Sequence, residues 1–186
     1  ETNQLLRKTF RVTGDLNIQP QGSGGLITGA AIAGADLRNA GQVTFDGMDF
    51  PDNNLGIHVR NSGLAVDDDQ FLSLQFTSVT ESNFRGIDAE HLLELDIQDS
   101  VFTDNGDAAP AATVVDGDGV PTGNQRETIF LNYTERLNVD TTTIFNQFNN
   151  PYLVTILRNE FTALSDDVIS INRPATLTDA HIDINI

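Results

Sequence analysis

Cysteine and tryptophan are absent from the sequence, and Lys8 is its only lysine. The absence of cysteine excludes disulfide bonds, thiolate nucleophiles and cysteine-ligated zinc or iron–sulfur sites. It also argues against a small secreted domain held together by disulfides. Long apolar runs are absent as well. The longest smooth stretch, residues 25–35 (GLITGAAIAGA), is far shorter than the roughly 20 apolar residues of a transmembrane helix, so no membrane insertion of this segment is expected.

Positive charge is scarce, and the formal net charge is −17. A field of this sign repels nucleic acid and anionic membrane surfaces, which excludes both as partners, and it attracts cations. Most of the acidic residues are aspartate, which favours turns and caps, whereas glutamate favours helix interiors. The composition therefore predicts a turn-rich β protein.

Short alternating segments predict short strands. In GIHVR, Ile57 and Val59 lie on one face and His58 on the other, and LLELDIQ and HIDINI alternate in the same way. Windows with helical spacing are few and are interrupted by Gly, Asn or Asp. Alternation over so few residues, bounded by turn residues, is typical of strands.

One pattern of eight positions recurs. Positions 1 and 3 are apolar, position 6 is a small or polar residue or Met, and position 8 is Phe or Ile; the other positions accept any residue. It is matched by VTFDGMDF (43–50), TSVTESNF (77–84, with Thr77 in the first apolar place), LDIQDSVF (95–102), LNVDTTTI (137–144), VTILRNEF (154–161) and ATLTDAHI (175–182). Repeats of roughly 20 residues and upward are typical of stacked solenoids. The pattern predicts an all-β parallel β-helix, with an antiparallel β-sandwich as the alternative.

Stacking of such repeats places like residues on like. Phe50, Phe84, Phe102 and Phe161 are predicted to form an internal aromatic ladder. The small or polar residue before each of them is predicted to lie at a bend, where Ser or Asn can hydrogen-bond the neighbouring backbone.

The chain divides into a poorly matching start and a repetitive remainder. Residues 1–42 are predicted to be an N-terminal cap or the first irregular coils, and residues 43–186 the β-helix coils. The segment 103–127, rich in Gly, Asp, Ala and Pro, is predicted to be a long loop excursion, and 61–70 a shorter loop. Excursions of this kind can carry binding function.

Two runs, LQFTSVTESNFRGIDAEHLLELDIQDSVFTDNG (74–106) and VTILRNEFTALSDDVISIN (154–172), carry a resemblance to a known family. They resemble repeats of the pectin-lyase-like right-handed parallel β-helix superfamily, especially those of bacterial autotransporter passenger domains and polymorphic outer-membrane proteins. The resemblance covers residues 43–186 as stacked repeats. It implies an extracellular or cell-surface location on a bacterium and a role as a rigid stalk or surface adhesin.

Three residues are candidates for catalysis. In SDDVISI, Asp166 and Asp167 match the aspartate pair that polygalacturonases of this superfamily carry on a strand, and two such carboxylates can act as general acid and base across a glycosidic bond. The other motifs of those enzymes are not matched: the preceding coil carries NVDTTT, with Asp140, and the following coil carries His181 without flanking glycines. The missing motifs favour a non-enzymatic role.

Two aspartate clusters are candidate calcium ligands. Asp67, Asp68 and Asp69 are consecutive, and Asp116 and Asp118 lie in VDGDG. Calcium prefers carboxylate and carbonyl oxygens, although no EF-hand loop or calcium-binding nonapeptide repeat accompanies these residues. The alternative is an acidic loop in solvent. No other cofactor is indicated, and the three histidines, which form no close pair, are predicted to lie at the surface.

The favoured function is a non-catalytic extracellular surface or adhesion module. In this hypothesis a β-helix face or the 103–127 excursion contacts a glycan, a host or bacterial surface protein, or a like chain. The alternative is a fragment of a polysaccharide lyase or glycoside hydrolase that acts on extracellular polysaccharide, and a third hypothesis is a stalk with no ligand. Because the open end of a solenoid exposes strand edges, self-association is also expected.

Overall fold

The computed structural model describes residues 10–12, 16–18, 24–60, 71–90, 92, 94–106, 127–132, 152–163, 167–172 and 182–185. Seventeen strands and no helix lie within these ranges, in three sheets that we call A, B and C. Sheet A contains β1 (Phe10–Val12), β4 (Ala33–Arg38), β7 (Leu55–Arg60), β10 (Ile87–Glu90), β13 (Ile129–Asn132) and β16 (Ile169–Asn172). Sheet B contains β2 (Leu16–Ile18), β5 (Gln42–Asp46), β8 (Phe71–Gln75), β11 (Glu94–Gln98), β14 (Tyr152–Leu157) and β17 (Ile182–Asn185). Sheet C contains β3 (Gly25–Leu26), β6 (Met48–Pro51), β9 (Ser78–Thr80), β12 (Val101–Thr103) and β15 (Glu160–Thr162).

Each turn of the chain adds one strand to each sheet. Strands three apart along the chain are therefore neighbours, and the described pairs are parallel; Ile57, for example, pairs with Ala35 on one side and Ile87 on the other. We number the coils 1 to 6, so that β4 to β6 form coil 2 and β7 to β9 form coil 3. The predicted all-β parallel β-helix is confirmed. The antiparallel β-sandwich is wrong, since it requires antiparallel ladders.

The interior of the coils is apolar and continuous. Sheet B contributes the columns Val43–Leu72–Leu95–Val154 and Phe45–Leu74–Ile97–Ile156, and sheet C contributes Phe50–Val79–Phe102–Phe161. All of these side chains are buried except that of Phe161, which is partly buried. The rings of Phe102 and Phe161 stack with their centroids 5.2 Å apart. Each coil buries only a short face, and stacking joins these faces into one core.

The predicted ladder of four Phe is wrong at Phe84. Val79 lies between Phe50 and Phe102 in sheet C, while Phe84 packs with Ala33 and Leu55 in a separate cluster. The cause is a shift in the match TSVTESNF. The segment of coil 3 that corresponds to the other matches is LSLQFTSV (72–79), in which Val79 stands where the pattern required Phe or Ile.

Polar side chains at the corner between sheets B and C bond the neighbouring backbone, as predicted. The Ser100 hydroxyl accepts from the Thr77 amide at 3.1 Å and donates to the Gln98 carbonyl at 2.8 Å. The Asn159 side chain accepts from the Ser100 amide at 2.8 Å and donates to the Ile97 carbonyl at 2.9 Å. These bonds satisfy backbone groups that the bend takes out of the ladders.

Two rows of residues with positive φ turn the chain at the ends of sheets B and C. The row after sheet B is Gly47, Phe76, Asp99 and Arg158, and the row after sheet C is Gly29, Asp52, Glu81, Asp104 and Ala163. Glycine and aspartate suit this left-handed conformation, whereas a bulky aromatic residue in it is an outlier. Phe76, with φ of 48°, is the aromatic residue of these rows.

The start of the chain joins the same architecture. Strands β1, β2 and β3 pair with β4, β5 and β6 respectively. The division of the chain at residue 42 stays a prediction. The excursion at 103–127 and the loop at 61–70 also stay predictions, because residues 107–126 and 61–70 lie outside the described residues. Within the described ranges, no helix has the length and apolar character to span a membrane.

Candidate functional site

Most of the predicted site residues lie outside the described part of the chain. This holds for the catalytic candidates Asp166 and His181 and for the calcium candidates Asp67, Asp68, Asp69, Asp116 and Asp118. Their roles stay predictions. Within the described ranges, no group of three or more acidic or histidine side chains is placed to hold a metal ion.

Asp167, just before β16, is described, and its neighbour in the preceding coil is Glu127. The Asp167 carbonyl accepts a hydrogen bond from the Thr128 amide at 3.0 Å, and Ile129 pairs with Ile169. This register places Glu127, and not the Asp140 that sequence comparison suggested, on the rung next to Asp167. Neighbouring strands lie about 4.8 Å apart, so the two carboxylates are borne by adjacent rungs.

Glu127 is held by a buried arginine. Arg85, whose side chain is 8% exposed, donates from Nε to Glu127 at 2.8 Å and from a terminal nitrogen to Asp88 at 3.1 Å. Its guanidinium lies 3.6 Å from the centroid of the Phe130 ring. This network on the outer face of sheet A joins coils 4 and 5, and its one arginine is shared by two carboxylates.

A second buried network on the same outer face contains His58. The prediction of a surface histidine is wrong here: His58 does point outward, as its alternation with Ile57 and Val59 indicated, but it is 3% exposed. Its Nε2 accepts from Arg60 Nε at 3.2 Å, which requires that Nε2 carry no proton. In the neutral ring the proton is then on Nδ1, which lies 3.9 Å from an Asp36 carboxylate oxygen.

The outer face of sheet B carries a third network, in coils 4 and 5. The Gln98 amide donates to both carboxylate oxygens of Asp96 at 3.0 Å, and Arg158 donates to the Gln98 side-chain oxygen at 3.3 Å. Arg158 also forms two hydrogen bonds of 2.7 Å with Asp99. These hydrogen bonds are the main cause that lowers the pKa of Asp99; desolvation opposes them, and the attraction of the opposite charges adds a smaller lowering effect. The side chains of this region bind one another.

The same positions in coils 2 and 3 form an open surface, which we call the Phe76 corner and define as Thr44, Asp46, Gly47, Gln75 and Phe76. Phe76 is 65% exposed. Gly47, its neighbour in coil 2, has no side chain to cover the ring. Asp46 and Gln75 are paired in register, and in the described part of the chain their side chains make no hydrogen bond. An aromatic ring and several polar groups are thus accessible together.

A row of carboxylates lies at the end of sheet C. Glu81 stands between Asp52 and Asp104 on successive coils. A side-chain hydrogen bond with Asp52, followed by repulsion from Asp52, desolvation and repulsion from Asp104, raises the pKa of Glu81 above its ordinary value of 4.5. The row can hold a proton between two carboxylates.

Sequence reasoning missed Phe76, Arg85 and Glu127. Phe76 was detectable: once LSLQFTSV is aligned with the other matches, it occupies a spacer place that holds Gly47, Asp99 and Arg158 elsewhere. The Arg85–Glu127 pair was not, because its two residues lie 42 positions apart in the chain.

Comparison of the chain with protein-family models, with curated proteins and with solved structures finds no match.

Proposed function

We propose that the chain is a non-catalytic extracellular surface or adhesion module that binds a glycan at the Phe76 corner. The observation that carries this proposal is the exposed aromatic ring of Phe76, held in a left-handed conformation beside unpaired polar side chains. Strain of this kind persists where function requires it, so an observed outlier is a reason to look for a ligand.

The chemistry of the corner suits a sugar. A pyranose ring has an apolar face of C–H groups that can lie on an aromatic ring, and hydroxyls that bond amide, carboxylate and hydroxyl side chains. The Phe76 corner offers both kinds of contact: the ring itself, and the side chains of Thr44, Asp46 and Gln75. The hydrogen-bonded ladder between β5 and β8 fixes the backbone positions of these residues, which lowers the ordering cost of binding.

The contrast with coils 4 and 5 supports the choice of site. There, the same outer face is closed by the bonds from Gln98 to Asp96 and from Arg158 to Asp99. A ligand would have to break these bonds, whereas at the Phe76 corner it meets groups that have no partner among the described residues. A few polar groups beside an apolar surface are the usual composition of a ligand site.

The proposal is tested by a binding screen on a panel of neutral, amino and acidic oligosaccharides, followed by titration calorimetry with those that bind. Phe76→Asn removes the ring but keeps a residue that tolerates positive φ, so the variant is expected to fold. We expect it to weaken binding roughly three- to tenfold, the equivalent of about 0.5–1.5 kcal/mol for an aromatic contact. Leu26→Asn removes the other large apolar side chain that is 65% exposed and is the matched control. Equal binding by both variants would contradict the proposal.

A second candidate function is glycoside hydrolysis, favoured by the placement of Glu127 and Asp167 on adjacent rungs. Retaining glycosidases use two carboxyl groups roughly 5–5.5 Å apart. Against this role, Glu127 already accepts a hydrogen bond from Arg85 Nε at 2.8 Å, so its carboxyl group is engaged within the protein. Release of reducing ends from an extracellular polysaccharide, abolished by Glu127→Gln and by Asp167→Asn, would establish the activity; no release would exclude it for the substrates used.

A further inference from the structure

Carboxylates occupy positions near Phe76 in its own and the neighbouring coils, and they differ in how they are paired. Asp99, its neighbour in coil 4, is bound by Arg158. Asp49, two residues beyond Gly47, accepts a hydrogen bond of 2.6 Å from the Ser78 hydroxyl. Asp46, one residue before Gly47, has no partner within the described ranges. The corner therefore presents an aromatic ring beside a carboxylate that no cation of the described residues neutralises.

This pair of groups recognises a cation. An ammonium group is attracted both to a carboxylate and to the face of an aromatic ring. The long-range field acts in the same direction, because a chain with a net charge of −17 attracts cations and repels anions such as uronates. A neutral sugar would stack on Phe76 but would leave the charge of Asp46 unused.

We infer that the ligand of the Phe76 corner is an amino-sugar polymer, in which the apolar face of a glucosamine unit stacks on Phe76 and a protonated amine pairs with Asp46. This inference rests on the proposed function and narrows it to one class of glycan. The N-acetylated polymer has the same backbone without the positive charge. It therefore isolates the contribution of the amine.

The test is calorimetric titration of the whole chain with three oligosaccharides of equal length: glucosamine, N-acetylglucosamine and galacturonate. At low ionic strength and slightly acidic pH, we expect glucosamine to bind roughly tenfold more tightly than N-acetylglucosamine and galacturonate not to bind. Asp46→Asn is expected to bring the first two affinities together, whereas Phe76→Asn weakens both. Glu160→Gln, which removes one exposed carboxylate from β15 on sheet C, is the charge-matched control and should keep the preference.

The outcomes separate the inference from the proposed function. Equal binding of the amino and acetylated oligosaccharides, lost in Phe76→Asn, would overturn the inference and leave the glycan-binding function standing. A preference that falls equally in Asp46→Asn and Glu160→Gln would show general attraction of a polycation to an acidic protein and would also overturn the inference. Binding of none of the three, or binding that Phe76→Asn does not change, would overturn both.

Discussion

Single residues at the corner after sheet C decide how tightly successive coils are joined. Asn105 accepts from the Ser82 amide at 3.1 Å and donates to the Val79 carbonyl at 2.8 Å. Asn53 makes the equivalent two bonds with coil 1, at 2.9 Å each. Ser82 occupies the same place in coil 3, but its hydroxyl is buried and has no hydrogen-bond partner in the described part of the chain.

We expect Ser82→Asn to stabilise the fold by about 1 kcal/mol, because it would add the two bonds that its counterparts make. Gly56, which has no side chain, lies next to Ser82 and leaves room for the amide, just as Gly86 lies next to the Asn105 side chain. The free energy of unfolding in urea is the measurement. Ser82→Ala, which removes only the unpaired hydroxyl, should be close to neutral, and Asn105→Ser should destabilise. A loss of stability in Ser82→Asn would show that the pocket cannot accept the larger side chain.

The carboxylate row at Glu81 makes stability depend on pH. Because the folded-state pKa of Glu81 is raised, the folded state binds more protons than the unfolded state above pH 4.5, and this contribution to stability is lost as pH rises through the folded pKa. Glu81→Gln removes this pH-dependent contribution to stability. We expect the variant to have the higher melting temperature at neutral pH and to lose this advantage as the pH falls below about 4.5.

The pair of Asp99 and Arg158 provides a control of opposite sign. The lowered pKa of Asp99 contributes stability above its ordinary value of 3.8, and the contribution is lost in acid. Arg158→Gln should therefore lower the melting temperature at neutral pH and have little effect in strong acid. The same pH profile in both variants would mean that the pH dependence does not arise from these two carboxyls.

At the scale of strands, the sequence predicted sheets B and C better than sheet A. The pattern of two apolar residues, a corner residue and an aromatic follows the chain from β11 to β12 and from β14 to β15, where the interior face alternates regularly. Sheet A does not follow it, because Asp36, His58 and Asp88 are buried on its outer face and remove the contrast between the faces. Asp36 is paired with Arg38 and Asp88 with Arg85, and a period of two residues does not encode such ion pairs.

Among the side chains that connect neighbouring strands, Arg85 is the one whose replacement we expect to destabilise the protein most. Its side chain and that of Asp88 are 8% and 7% exposed, so replacing Arg85 leaves a buried carboxylate without its cation. Removing one member of such a pair costs about 3–5 kcal/mol. We expect Arg85→Leu to destabilise by about 3 kcal/mol in urea unfolding and Arg85→Lys to recover only part of this, since lysine cannot replace the fork and the stacking on Phe130.

Two further variants show whether burial is the cause. Adding Asp88→Asn to Arg85→Leu should restore part of the stability, because it removes the more buried of the two carboxylates that lose their cation, while Glu127, 18% exposed, keeps its charge. Arg158→Leu breaks the exposed pair with Asp99, in which the arginine side chain is 61% exposed, and should cost much less. An Arg85→Leu protein as stable as Arg158→Leu would exclude the network as a link between coils 4 and 5.

For the whole molecule, the same charge that narrows the choice of ligand also opposes the fold. A net charge of −17 repels itself more strongly in the compact state than in the unfolded chain. The cations of the described network residues are largely occupied: Arg85 is shared by two carboxylates, and Arg158 is bound by Asp99. In a solenoid, where each coil contacts only its neighbours, this repulsion acts along the whole stack.

Salt should therefore stabilise the protein, although it weakens the exposed ion pairs. Raising sodium chloride from about 0.01 M to about 0.15 M shortens the Debye length from about 30 Å to about 8 Å, and we expect the melting temperature to rise. Calcium and magnesium chloride at equal concentration then separate screening from specific binding. If Asp67, Asp68, Asp69, Asp116 and Asp118 hold calcium, calcium adds an increment that grows with its concentration as ligand binding requires, and magnesium does not. Equal effects of the two cations would exclude a calcium-selective site in these segments, and a fall in melting temperature with sodium chloride would mean that ion pairs, and not repulsion, dominate the electrostatics of the stack.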